Sequence, residues 1–210
     1  AVNAVMAGCK PEYFPVVLAL AASGQSGRGS SSGSLAKMVV VNGPIRRELG
    51  MNAGIGALGP YNHANATIGR AYGLLSANLQ GGSVPGETYM GSQGNGYSYN
   101  NLFFPENEED SPWEPFHVTK GFKAEDSVVS IFNGAATTSF TLGLRHKHWR
   151  EHIRNMLLGM EPDFSPTLVL DPLTARQFIE IAGLKTKQDV IDWVYDNAKM
   201  PSGVYWDYQL

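Results

Sequence analysis

Residues 37–44 read KMVVVNGP, and no other stretch constrains the fold as much. Three consecutive valines, stiff at χ1, favour an extended chain. A short apolar run closed by Asn-Gly-Pro predicts a buried strand. The period then changes. IRRELG (45–50) predicts a short helix ending on Gly50. A glycine-rich loop follows, and from Ala64 the spacing Ile68, Ala71, Tyr72, Leu75 predicts an amphipathic helix with Asn65 as a possible N-cap. SVVSIFNG (127–134), TSFTLGL (138–144) and PTLVLDP (166–172) predict further strands. Helices are predicted over 146–160, over 173–183 up to Gly183, and over 186–199, where Thr186 and Asp189 take the capping-box positions. Short buried strands alternating with helices define an α/β chain. Residues 80–126, rich in Gly, Ser, Asn, Tyr and Pro, form its one large loop-rich insertion.

The N-terminal part has its own pattern. Val2, Val5, Met6 and Cys9 recur at helical spacing, and Pro11 suits the first turn of a second helix over 12–22. That helix has hardly any polar face, which implies burial against another chain or copy. SGQSGRGSSSGS (23–34) supplies no core and much backbone freedom, so it is expected to be a flexible stretch. The remainder is read as one domain over 1–210. Its start inside a helical pattern, at Ala1, suggests part of a larger protein or complex.

Bulk properties exclude several classes. A chain of 210 residues, 43% hydrophobic, buries about 70% of its unfolded surface and needs no disulfide or metal staple. A net charge of -3 leaves no electrostatic footprint for nucleic acid. No apolar run has the length to span a bilayer, and no basic region precedes 11–22 as a secretory signal requires. A single cysteine forbids an internal disulfide and fits a reducing, cytoplasmic setting.

Four segments carry candidate chemistry. Cys9 lies just before Pro11, where the free N–H groups of a starting helix lower a thiol pKa; Glu12 stands beside it as an acid–base group. The opposite reading is a small buried hydrophobe. In 41–71, Asn42 ends the strand, Arg46 and Arg70 can pair with a carboxylate or phosphate, and Asn52, Gly54 and Gly56 lie in a loop whose N–H groups can cradle an anion. Gly54, Gly56 and Gly59 spell GxGxxG, but they do not directly follow the strand as a dinucleotide site requires. In ENEEDSPWEPFHV (106–118), carboxylates from Glu106 onward stand near His117, a combination that binds a metal or moves protons. His148 and His152 stand at i and i+4, which is zinc-compatible spacing without the HExxH glutamate, so no metal ligand is assigned.

NAVMAGCKPEYFPVVLA, VVVNGPIRRELGMNAGIGALGPYNHANATIGRA, ENEEDSPWEPFHV and DVIDWVYDNAKMP together resemble the C-terminal part of the UGSC-type (seleno)proteins. These bacterial proteins are named for a selenocysteine-Gly-Ser-Cys motif in their N-terminal region. The chain carries neither UGSC nor CGSC. The resemblance therefore implies a redox or thiol-assisted enzyme in which this chain supplies the substrate pocket and a UGSC-motif subunit or segment supplies the redox group. Cys9, Glu12 and His117 are then the expected catalytic residues, and Asn42, Arg46, Asn52, Gly54, Gly56 and Arg70 the expected substrate ligands. A homo- or hetero-oligomer acting on a small polar or anionic molecule follows, with the cofactor left open. A non-catalytic structural subunit and a Glu/His metal-dependent lyase or hydrolase are the alternatives.

Overall fold

The computed structural model describes residues 1–30, 34–79, 96–133, 146–158 and 167–209. Where the sequence reading treats 1–210 as one domain, the chain gathers into two compact units. The first comprises Ala1–Asn107 with Pro115–Ala136, the second Glu108–Glu114 with Thr137–Leu210.

The first unit is a mixed α/β layer structure. Its elements run α1 (Val2–Ala7), a 3-10 turn (Pro11–Tyr13), α2 (Phe14–Ala22), β1 (Arg28–Ser30), β2 (Ser34–Asn42), α3 (Ile45–Glu48), α4 (His63–Leu79), β3 (Leu102–Pro105), α5 (Phe116–Thr119) and β4 (Val128–Asn133). β2 is the central strand. β3 pairs with it in parallel, from Met38 against Leu102 to Val41 against Pro105. β4 pairs with it antiparallel, from Lys37 against Asn133 to Asn42 against Val128. The parallel pair is joined by a crossover containing α4, as parallel strands require.

Alternation along β2 divides the core. Val39 and Val41, with Phe103, pack against Val16, Val17 and Leu20 of α2 and Ile68, Ala71 and Tyr72 of α4. Met38 and Val40, with Leu102 and Phe104, pack on the other side against Ala57 of the glycine loop and Phe132. α4 comes close to the chain entering β3: a Cβ at Gly69 would run into the Asn100 carbonyl and the Phe103 side chain. Here glycine allows the close approach of two backbones.

Several expectations need correction. Residues 23–34 are not a uniformly free linker. Arg28–Ser30 pairs with Ser34–Ala36, the Gly27 N–H donates to Ser76 Oγ at 2.5 Å, and the Tyr72 hydroxyl donates to the Gln25 carbonyl at 2.9 Å. Burial pushes the Tyr72 phenol up to about 12, so it stays a donor. Ser76 and Tyr72 lie on α4, and only the tertiary fold brings them under this stretch. The insertion 80–126 contains a missed strand, β3, because LFFP is too short to show a period. α4 begins at His63, so Asn62 is its cap: Asn62 Oδ1 accepts the Asn65 N–H at 3.1 Å. The expected strand 138–144 lies outside the described residues.

The second unit is helical among its described residues: α6 (Trp149–Leu158), α7 (Pro172–Glu180), α8 (Lys187–Asn197) and α9 (Ser202–Gln209). Trp149, Ile153, Leu157, Phe178 and Val190 form its core. Residues 167–171 form no strand, although PTLVLDP predicts one; Leu168 and Leu170 pack against the helical core as irregular chain instead. α8 carries the expected capping box. The Asp189 N–H donates to Thr186 Oγ1, and Asp189 Oδ2 accepts the Thr186 N–H. Asp171 caps α7 by accepting the Thr174 N–H and hydroxyl. Burial alone would raise its carboxyl, but these hydrogen bonds together hold it below its ordinary range. No helix among the described residues is long and apolar enough to cross a membrane.

Candidate functional site

Buried polar side chains stand at the carboxyl ends of β2 and β3. β2 ends on Asn42, which is fully buried. Gly43 follows with φ of 83°, and a Cβ there would collide with the Asp126 carbonyl. Only glycine can make this corner without strain. The Ile45 N–H then donates to Ser127 Oγ, which fixes the start of α3 against the chain entering β4. α3 projects Arg46 inward, 3% exposed.

β3 delivers the second half of the group. The Glu106 N–H donates to the Val41 carbonyl at 3.0 Å, extending the parallel ladder one step. Glu106 Oε2 accepts two hydrogen bonds, from Asn42 Nδ2 at 2.5 Å and from the Phe116 N–H at 2.7 Å. One carboxylate oxygen thus joins the end of β2, the end of β3 and the first turn of α5. His117 follows at once on α5 and is only 1% exposed. The Glu106 carboxylate is thus paired with the Asn42 carboxamide and with the backbone one residue before His117; carboxylates and imidazoles are residue types used in acid–base chemistry. The carboxyl ends of strands are also where open α/β sheets hold their ligands.

The expected site residues do not all converge here. Asn42 and His117 belong to the group, and Glu106, which the sequence offered only as one acid among several, holds it together. Arg46 is present, with its guanidinium engaged by the backbone. Its Nε donates to the Gly43 carbonyl at 3.1 Å and its Nη1 to the Glu106 carbonyl at 2.8 Å, so the guanidinium ties the two strand ends. Asn52 and the glycine loop bind each other rather than a ligand. The Gly54 N–H donates to Asn52 Oδ1, Asn52 Nδ2 donates to the Ile55 carbonyl, and the Ala57 and Gly59 N–H groups go to the Gly54 and Gly56 carbonyls. Asn65, buried on α4, clamps this loop by exchanging hydrogen bonds with the Asn52 backbone and donating to the Ala57 carbonyl. The anion cradle expected from Gly54 and Gly56 therefore has its N–H groups at 54, 57 and 59 already engaged. Arg70 lies toward the other end of β3, donating to the Tyr99 carbonyl at 2.9 Å with its guanidinium 3.9 Å over the Tyr99 ring.

Cys9 also departs from expectation. It packs against the core formed by α2 and α4, and its thiol donates to the Thr67 carbonyl at 3.3 Å. Burial pushes its pKa above the ordinary thiol value, and the Thr67 contact offsets only part of that. Desolvation by its apolar neighbours outweighs any benefit from the turn at Pro11. Glu12 is exposed in that turn. Nearby, His63 Nδ1 lies 3.3 Å from the hydroxyl of buried Tyr13. Among the described residues, no three His, Cys, Asp or Glu side chains come together so as to hold a metal ion. His148 falls in the 3-10 turn before α6, outside the regular helix that the zinc-compatible spacing assumed.

No protein-family model matches this chain, and neither the curated proteins nor the solved structures include a similar one.

Two outcomes follow from this geometry. Arg46→Ala removes the donors of two carbonyls at the buried strand ends, and such losses cost about 1–3 kcal/mol per group. Denaturant titration should show a loss of about 2–6 kcal/mol. Unchanged stability would return Arg46 to the role of ligand residue. Cys9 should react slowly with iodoacetamide, with a half-reaction point above about 8.5, the ordinary thiol value. A half-reaction point well below it would restore the activated thiol.

Proposed function

We propose that the first unit is the substrate-holding domain of an enzyme acting on a small polar molecule, bound at the carboxyl ends of β2 and β3. The observation that carries this reading is the Glu106 carboxylate, which accepts from both Asn42 and the Phe116 backbone beside buried His117. Burying polar groups costs free energy unless they are well paired, and the Glu106 carboxylate is held ready by two such pairings. Glu106 and His117 are the acid–base groups, and Asn42 orients the carboxylate. Neutral polar substrates fit better than anionic ones, since the Arg46 guanidinium is tied to backbone carbonyls.

The resemblance to UGSC-type proteins supports a redox or thiol-assisted reaction. With Cys9 packed and its pKa raised, the reacting thiol or selenol would be supplied by a separate segment or subunit. A cytoplasmic location is the setting that suits such chemistry. The metal-dependent alternative has less support, as no described trio of ligands favours it.

Isothermal titration with a panel of small hydroxy acids, amino acids and polyols tests the site. Glu106→Gln keeps an oxygen to accept from Asn42 and Phe116 but removes the charge. A ligand that binds the wild type should lose at least about tenfold on this variant, a loss of 1.4 kcal/mol or more. Equal affinity would remove Glu106 from the site.

A structural role within an oligomer is the second reading, and it has its own observation. Val2, Val5 and Met6 of α1 and Leu18 of α2 each expose more than half of their surface. Apolar side chains grouped in this way mark an association surface. Sedimentation equilibrium should show a species larger than the monomer, and Val5→Glu with Met6→Lys should reduce it to monomer. A monomeric wild type at high concentration would defeat this reading.

A further inference from the structure

The chain between β3 and α5 leaves the first unit and returns to it. Glu108–Glu114 belongs to the second unit, while Asn107 and Pro115 on either side belong to the first. The neck of this excursion is closed by the carboxylate of the candidate site, because Glu106 Oε2 accepts the Phe116 N–H at 2.7 Å.

The tip is built into the helical unit. Ser111 Oγ donates to the Trp113 carbonyl and accepts the Trp113 N–H, both at 3.2 Å, which folds the tip into a tight turn. The Trp113 ring packs against the helical core and meets the Phe178 ring edge-on, with centroids 6.0 Å apart. Arg176 Nη2 of α7 donates to the Asp110 carbonyl at 2.9 Å. Lys187 Nζ of α8 donates to the Glu114 carbonyl at 2.7 Å. Side chains of α7 and α8 thus hold this strap on both sides of Trp113 as well as at its ring.

The link from this anchor back to the neck is short and stiff. Glu114 precedes Pro115, which confines it to extended backbone. The ring of Pro115 fixes φ, here −54° with ψ of 143°. The peptide plane between Pro115 and Phe116 therefore takes its direction from Trp113 and Glu114, and that plane aims the Phe116 N–H at Glu106. The Phe116 ring also rests on Phe132 of β4, with centroids 5.6 Å apart. A ring contact places the side chain but does not orient the peptide, and a hydrogen bond weakens steeply as its donor tilts away.

We propose that Trp113 is a positioning residue for Glu106: packed in the helical core, it aims the Phe116 N–H at the carboxylate. This role rests on Glu106 being an acid–base group of the site. Loss of the Trp113 packing releases one of the two donors on Glu106 Oε2, while the other, Asn42 Nδ2, comes from the end of β2 and stays. The second unit thereby takes part in arranging the polar group of the first.

Amide hydrogen exchange of the full chain, followed by NMR, tests this with no ligand present, so its result is separate from that of the ligand titration at Glu106. Trp113→Ala should speed exchange of the Phe116 amide about tenfold or more, the scale of a lost hydrogen bond to a charged group. The Val39 and Val41 amides, in the paired centre of β2, should keep their rates. Lys187→Met, which leaves the helical core intact, should act in the same direction through the Glu114 carbonyl. Trp113→Phe should keep the protection, since an aromatic ring still meets Phe178 and the indole Nε1 has no hydrogen-bond partner to lose among the described residues. Unchanged Phe116 exchange in both Trp113→Ala and Lys187→Met overturns the proposal. Equal loss of protection at Val39 and Val41 overturns it as well, because that marks general destabilisation. A phenylalanine variant as fast as the alanine one overturns ring packing as the cause.

Discussion

The first unit depends on covering β2 completely. This strand is hydrogen-bonded to β3 on one edge and β4 on the other, with apolar residues packed on both faces. From Met38 to Val41, where it is paired on both edges, the strand carries only apolar side chains, because a polar one would lie unpaired in an apolar layer. Polar chemistry is forced to its ends. At the carboxyl end stand Asn42 and Arg46, and at the approach to the neighbouring β3 stand Asn100 and Asn101. The Asn42–Glu106 group thus sits where these two strands end.

The same demand explains why so many polar residues proved structural. A buried corner such as Asn42–Gly43–Pro44 leaves backbone carbonyls that water cannot reach, and each needs a donor. Arg46 provides two donors from a rigid fork, which suits it to join carbonyls from two chain segments. Asn65 does the equivalent for the glycine loop. Expecting a ligand from an arginine and a set of glycines underestimates how many internal acceptors a tight α/β corner contains.

Cys9 illustrates a competition that magnitudes settle. A helix terminus acts on a thiolate within the first turn and is worth about 0.3–1 kcal/mol at an exposed position. Burial acts in the opposite direction, and for a group packed among Ala7, Tyr13 and the start of α4 it is the larger effect. Position in sequence gave the dipole argument, and packing decided against it.

Local pattern alone determined the α/β class, the strands β2 and β4 and the capping box of α8. These depend on side-chain type and on spacing within one element, where propensity and period act. Tertiary structure decided the rest. It made Glu106 rather than Arg46 the centre of the polar group, turned Arg28–Ser30 of the Gly/Ser stretch into a paired strand, and produced a strand from LFFP. It also denied one to residues 167–171, where Leu168 and Leu170 pack against the helical core with no strand paired to them among the described residues. A β-strand is completed by hydrogen bonds to a distant partner, and a buried polar group by donors from other elements; neither is encoded in the few residues that display it.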